Sequence, residues 1–228
     1  MKQLLFLHGA IGSQAQFDLL SNHLKNDFDI LQLNFSGHGG REMPHDPFSI
    51  PLFANDVLDH LNEKNISSAD IFGYSMGGYV ALYLAKHFPQ RVNKIFTLAT
   101  KFDWSISAAE KESKMLIPEK IEEKLPEFAK QLTHRHLPRD WKIVLRKTAE
   151  MMCVMGADPP MKDDDFAAIT HQVKLSLGDK DKMVSLSETK QVAEKIKRAS
   201  MLLLPDTLHP IEQVSVEKLA HEIKQFFV

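Results

Sequence analysis

The feature that most constrains this chain is the stretch Gly73-Tyr74-Ser75-Met76-Gly77-Gly78. It has the form G-x-S-x-G, and its setting matters as much as its letters. Asp70 to Tyr74 before it reads as a buried strand, and Met76 to His87 after it reads as a helix, with Pro89 just beyond. A serine on so sharp a strand-to-helix turn has a strained backbone, and its hydroxyl is pushed out at the carboxyl end of the sheet. Side chains two positions to either side would collide with the turn, which explains Gly73 and Gly77. The N-terminus of the following helix favours negative charge developing nearby. Ser75 is therefore a candidate nucleophile.

The rest of the chain supplies a sheet to carry that turn. Leu4 to Leu7 is a short apolar run ending at His8-Gly9, and Asp29 to Phe35, Val92 to Ala99, Val173 to Leu177 and Ser200 to Leu204 read as further strands. Between them, Gln14 to Asn26, Ile50 to Asn65, Ser187 to Lys197 and Val216 to Phe227 carry apolar residues at helical spacing. Strands alternating with helices, and apolar throughout, predict a mostly parallel six-stranded α/β sheet with helices on both faces. The segment from Lys101 to about Asp165 breaks the rhythm. It is rich in Lys and Glu, punctuated by prolines, and has Trp104, Phe128, Leu132, Trp141 and Leu145 spaced as on helices. It reads as several short helices inserted after the fourth strand of a single domain spanning 1–228.

Acyl chemistry at Ser75 needs a base, a group that orients the base, and donors for an oxyanion. With the serine on a strand–turn–helix, the partners follow in the order Ser…Asp…His. His209, in Asp206-Thr207-Leu208-His209-Pro210 after the last strand, is the candidate base. The loop Gly178-Asp179-Lys180-Asp181 offers the acid: Asp181 is the choice, Asp179 its competitor, and Asp103 a distant third. The oxyanion donors are the backbone N–H groups of Ala10, beyond the first strand, and Met76, after the nucleophile. His8 reads as a buried histidine that shapes the first loop, and His38, between Gly37 and Gly39, as structural too. His134 and His136 form an H-x-H pair without a third ligand at metal-site spacing, so solvated surface residues are expected there. Cys153, within Met151-Met152-Cys153-Val154-Met155, reads as a buried inert thiol.

Composition excludes several alternatives. A net charge of −2 and few basic clusters argue against a nucleic-acid partner and against attraction to an anionic membrane surface. No apolar stretch approaches the ~20 residues of a membrane span. One cysteine permits no internal disulfide, and the short run Leu4 to Leu7 does not make a signal peptide, so a cytoplasmic protein is expected. The proposed chemistry needs no metal or organic cofactor.

Taken together, these residues resemble the α/β-hydrolase superfamily over nearly the whole chain outside the insertion. The family carries a His-Gly-x loop after its first central strand, as in His8-Gly9-Ala10. A Gly-His-Gly stretch, the serine elbow, a Gly-x-x-Asp loop and a late histidine then follow in order, as they do here. The resemblance implies that segment 101–165 is a helical cap over the site, and that the chain begins at the central strand of the family's sheet. This sequence departs from the family pattern at Asn34, Ser36 and Leu208, where relatives have Asp, Pro and Gly. Its short capped form is similar to small carboxylesterases acting on small or medium acyl substrates. A triad-dependent lyase of the menaquinone pathway is the alternative within the family, although that lyase has an arginine where this chain has Tyr79. A non-catalytic ligand-binding scaffold is the alternative outside catalysis.

Overall fold

A computed structural model describes residues 1–228. Six strands, β1 (Lys2–Leu7), β2 (Phe28–Gln32), β3 (Ala69–Tyr74), β4 (Val92–Leu98), β5 (Gln172–Gly178) and β6 (Ala199–Leu204), form one sheet in the order β2-β1-β3-β4-β5-β6. Every neighbouring pair is parallel, so the sheet expected to be mostly parallel is parallel throughout. The strand order reverses at β1: the chain steps outward to β2, then returns to add β3 on the other side. Loops leaving β1 and β3 therefore diverge from adjacent strand ends, and ligands of open parallel sheets bind at such a switch point.

The continuous apolar strands divide their side chains between two faces. Leu5, Leu7, Ile71, Ile95 and Leu175 point into one core with Phe53 and Val57 of α2 (Ile50–Glu63), Val80 and Leu84 of α3 (Met76–His87) and Val192 of α9 (Leu186–Lys195). Leu4, Phe6, Phe72 and Phe96 point the other way, against Leu20 and Leu24 of α1 (Asp18–Leu24) and Leu219, Ile223 and Phe227 of α10 (Val216–Phe227). Phe6, Phe72, Phe96 and Phe227 are fully buried, and each contributes about 1.5–3 kcal/mol by leaving water.

Local boundaries differ from the sequence expectation where polar side chains intervene. The second strand stops at Gln32, because the next residues turn into a loop tied by Asn34, whose Oδ1 accepts from Gln14 N at 2.8 Å and whose Nδ2 donates to Gly39 O at 3.1 Å. The expected helix over 14–26 is a short 3-10 turn, Gln14–Phe17, followed by α1. α9 starts where Ser185 and Glu188 form a reciprocal cap.

Between β4 and β5 lie α4 (Ile106–Lys114), α5 (Pro118–Lys124), α6 (Pro126–His136), α7 (Trp141–Ala157) and α8 (Asp163–Ala167), with no strand among them. The segment has a small cluster of its own, Ile121, Ala129, Leu132, Trp141 and Leu145. Its other inward residues, Val144, Met151, Met155 and Phe166, join the larger core of the sheet. Cys153 is exposed, against expectation. The inward face of α7 is set by Val144, Thr148, Met151 and Met155, and helical geometry turns position 153 away from it.

Candidate active site

Ser75 stands between β3 and α3 with φ +51° and ψ −116°, a left-handed backbone that costs a non-glycine residue on the order of 1–3 kcal/mol. The surroundings hold it there. Ser75 N donates to Leu98 O at 2.8 Å, and Ser75 O accepts from Thr100 Oγ1 at 3.1 Å and Gly78 N at 3.0 Å. A side chain at Gly73 would meet the Gly78 backbone 2.5 Å away, as the turn's sharpness requires. At Gly77 the obstacle is the neighbouring strand: a Cβ would run into the carbonyl of Leu7.

His209 and Asp181 come together from two loops at the carboxyl ends of β6 and β5. His209 Nδ1 lies 2.8 Å from Asp181 Oδ2. The other carboxylate oxygen accepts from Met183 N at 2.8 Å and Val184 N at 2.9 Å, so both oxygens are engaged. The Asp181 side chain is wholly buried. Burial pushes its carboxyl pKa up, but the bonds from His209 and the two backbone N–H groups outweigh it, and the net shift is downward. An ionised carboxylate at Nδ1 keeps the hydrogen on that nitrogen and leaves Nε2 as the acceptor. The competitor Asp179 is exposed and accepts from Thr207 N at 3.2 Å, joining the two loops, and Asp103 caps Ser105 N at 3.1 Å. Leu208 needs no glycine, because the left-handed residue of the His209 loop is Asp206, with φ +54°.

Ser75, His209, Ala10 and Met76 line one cavity of about 1060 Å³. Ala10 lies in a turn closed by Gly12 N donating to Gly9 O at 3.1 Å, and its own N–H has no partner in the protein. Met76 is the first residue of α3, where an N–H has no intrahelical acceptor. The far walls come mostly from the insertion, with Met115, Leu116, Phe128, Met151 and Met155.

Three histidines behind the Ala10 loop are buried and uncharged. His8 accepts from Phe35 N at Nε2 (3.1 Å), so its Nδ1 carries the hydrogen given to Gly9 O (2.8 Å); burial holds its pKa down to about 3. His38 stacks on Phe48, and burial lowers its pKa well below the usual histidine range. His136 corrects the expectation of a solvated H-x-H pair. It is fully buried, accepts from Gly39 N at 3.1 Å and donates to Ile11 O at 3.1 Å, and burial lowers its pKa to about 4. His134 is exposed at the cavity edge. The sequence signal for His136 was faint: a histidine at the end of an amphipathic helix, with a partner about a hundred residues away. Glu112 was missed as well. It is a buried cavity-wall residue 3.9 Å from Lys101 Nζ, and burial raises its pKa. No group of three or more His, Cys, Asp or Glu is arranged to hold a metal ion. No helix is long and apolar enough to cross a membrane.

Comparison with known proteins agrees with this architecture. A family model described as alpha/beta hydrolase fold matches residues 2–117. Esterase YbfF of Escherichia coli (strain K12) is 31% identical over 96 residues, which is 42% of this chain and 37% of that protein. The chain thus spans little more than a third of that curated relative. AB hydrolase superfamily protein YisY of Bacillus subtilis (strain 168) is 24% identical over 99% of this chain and 91% of its own length. Among solved structures, the enol-lactonase from Burkholderia xenovorans LB400 superposes with a TM-score of 0.77 at 17% identity, covering 99% of this chain and 90% of that one. The chain belongs to the α/β-hydrolase fold family.

Proposed function

We propose that the protein is a serine hydrolase that cleaves an uncharged carboxylic ester, thioester or lactone through an acyl-enzyme. The observation that carries this reading is the single cavity shared by Ser75 on its strained turn, His209 backed at 2.8 Å by Asp181, and the unpartnered N–H of Ala10. In this mechanism His209 Nε2 takes the Ser75 proton as Oγ attacks the acyl carbonyl. Asp181 holds the imidazole tautomer and stabilises the imidazolium. The Ala10 and Met76 N–H groups receive the oxyanion. His209 returns its proton to the leaving group, then activates a water that releases the acid.

The cavity also bears on the substrate. Each of its three lysine or arginine side chains already has a carboxylate neighbour: Lys101 with Glu112 and Glu188 (3.9 and 3.8 Å), Lys130 with Glu127 (2.7 Å), Arg135 with Glu212 (2.9 Å). A polyanion would have to break those pairs, which favours an uncharged acyl group over the lyase alternative. Methionine walls adapt to irregular shapes, and the volume accommodates a medium-length chain. The insertion acts as the cap that closes this cavity.

The test is hydrolysis of p-nitrophenyl esters of increasing acyl length by wild type and Ser75→Ala. The expected result is activity peaking at short to medium chains, and a loss of about 10⁴-fold or more in the variant. Activity that survives Ser75→Ala, or a wild type inert toward every ester, would remove the reading.

A further inference from the structure

Ile11 is an improbable residue for its place. It is the third residue of the Gly9–Gly12 turn, with φ +53°, where a β-branched side chain is rare and glycine is the ordinary choice. Two contacts offset this, and both come from the insertion. The Ile11 side chain packs on the insertion's own cluster around Leu132 and Trp141. Its carbonyl accepts from Arg135 NH1 and from His136 Nε2, each at 3.1 Å. The His136 bond has a fixed direction, because Gly39 N occupies Nδ1 as a donor and leaves the hydrogen on Nε2. Arg135 NH2 also reaches Glu212 Oε1 at 2.9 Å, just beyond the His209 loop, where Gln16 Nε2 donates to the same oxygen at 2.7 Å.

We propose that Arg135 and His136, at the C-terminal end of α6, are positioning residues for the oxyanion turn, so that seating of the insertion aims the Ala10 N–H. This inference rests on the ester-hydrolase reading above. The route runs through two peptide groups. A trans peptide points its C=O and N–H in opposite directions. Ile11 C=O and Gly12 N–H belong to one peptide, so holding the Ile11 oxygen drives the Gly12 N–H toward Gly9 O, 3.1 Å away. Gly9 C=O and Ala10 N–H belong to another. With Gly9 O held by Gly12 N–H and by His8 Nδ1, the Ala10 N–H is turned to the opposite side. Once the α6 hydrogen bonds are lost, only the Gly9–Gly12 bond and side-chain packing oppose the preference of Ile11 for negative φ, and the donor's aim loosens.

The experiment pairs kinetics with amide hydrogen exchange. Arg135→Met keeps the apolar stem and removes the donors; His136→Gln is the second variant, should the first fail to fold. With p-nitrophenyl butyrate, each is expected to lower kcat about 10- to 100-fold, with KM within about twofold of wild type. The Gly12 amide should exchange faster in the same proteins. Arg135→Lys, which retains a charged donor, should recover most of kcat. Unchanged Gly12 exchange, or wild-type kcat in a folded variant, overturns the inference alone. A wild type without Ser75-dependent hydrolysis overturns the ester-hydrolase reading, and this inference with it.

Discussion

Two residues of this site adopt left-handed backbones that their side chains disfavour, Ser75 at φ +51° and Ile11 at φ +53°, and they are held in opposite ways. The Ser75 turn is secured by its own neighbourhood. Glycines at 73 and 77 clear the space, and Leu98 O, Thr100 Oγ1 and the start of α3 satisfy its backbone. The Ile11 turn is secured from a distance: its oxygen is bound by residues 124 and 125 positions later in the chain, on a helix outside the sheet. A locally determined strain is built once the strands pair. A remotely determined strain persists only while the remote element stays seated, and so can be released separately.

The largest effect that should separate the two turns is pH. The Ile11 side of the site leans on His8 and His136, with the His38 ring centred 5.3 and 5.9 Å from theirs, and all three are buried and neutral. Arg135 faces His8 and His136 and opposes their protonation further. The folded pKa values lie below the unfolded value of 6.5, so the unfolded chain takes up protons first as pH falls. Their contribution is fully present above pH 6.5 and is lost on acidification toward pH 4 and below. Each histidine lowers stability by about 1.4 kcal/mol per pH unit in that window, and the three together by about 4. Urea midpoints should fall as pH drops from 6.5 to 5, and His136→Gln should make that fall shallower. A slope that does not change in that variant would mean that His136 is not buried neutral. Next in size is the locally held turn. Gly77→Ala drives a methyl into the Leu7 carbonyl, backbone against a buried strand, and should cost about 3 kcal/mol together with most of the proposed ester hydrolysis. Near-normal stability in that variant would mean that the elbow yields more readily than its packing allows.

The same contrast explains what could be read from the sequence. Local chemistry was legible: the glycines that flank Ser75, the apolar strands, the order of Asp181 and His209, and the parallel sheet that follows from strand–helix alternation. Asp181, and not Asp179, lies 2.8 Å from His209 Nδ1. Of what escaped, His136 depended on partners far along the chain. His136 was expected at the surface, because helical periodicity identifies a buried face but not a histidine that reaches back to a loop near the N-terminus. Cys153 was expected inside because its neighbours are apolar, yet on a helix adjacent residues face different ways. The second strand ended early because Asn34 bonds its own loop, and no propensity scale registers that.

The smallest predicted effect on stability is the sharpest test of the contrast. Ile11→Gly removes the conformational penalty at φ +53°, a gain of about 1 kcal/mol, and gives up a partly buried side chain, a loss of similar size. The melting temperature should therefore move by only a few degrees. The turn would then carry no strain for the insertion to offset, since glycine enters either sign of φ freely. If remote support serves only to tolerate isoleucine, kcat should stay at the wild-type level and become insensitive to a second substitution at Arg135. If that support aims the Ala10 N–H, Ile11→Gly alone should also leave kcat near the wild-type level, because the Arg135 and His136 bonds still hold the carbonyl of residue 11. Arg135→Met in the glycine background should then lower kcat about tenfold, because a glycine peptide released from that bond spends less time presenting its donor.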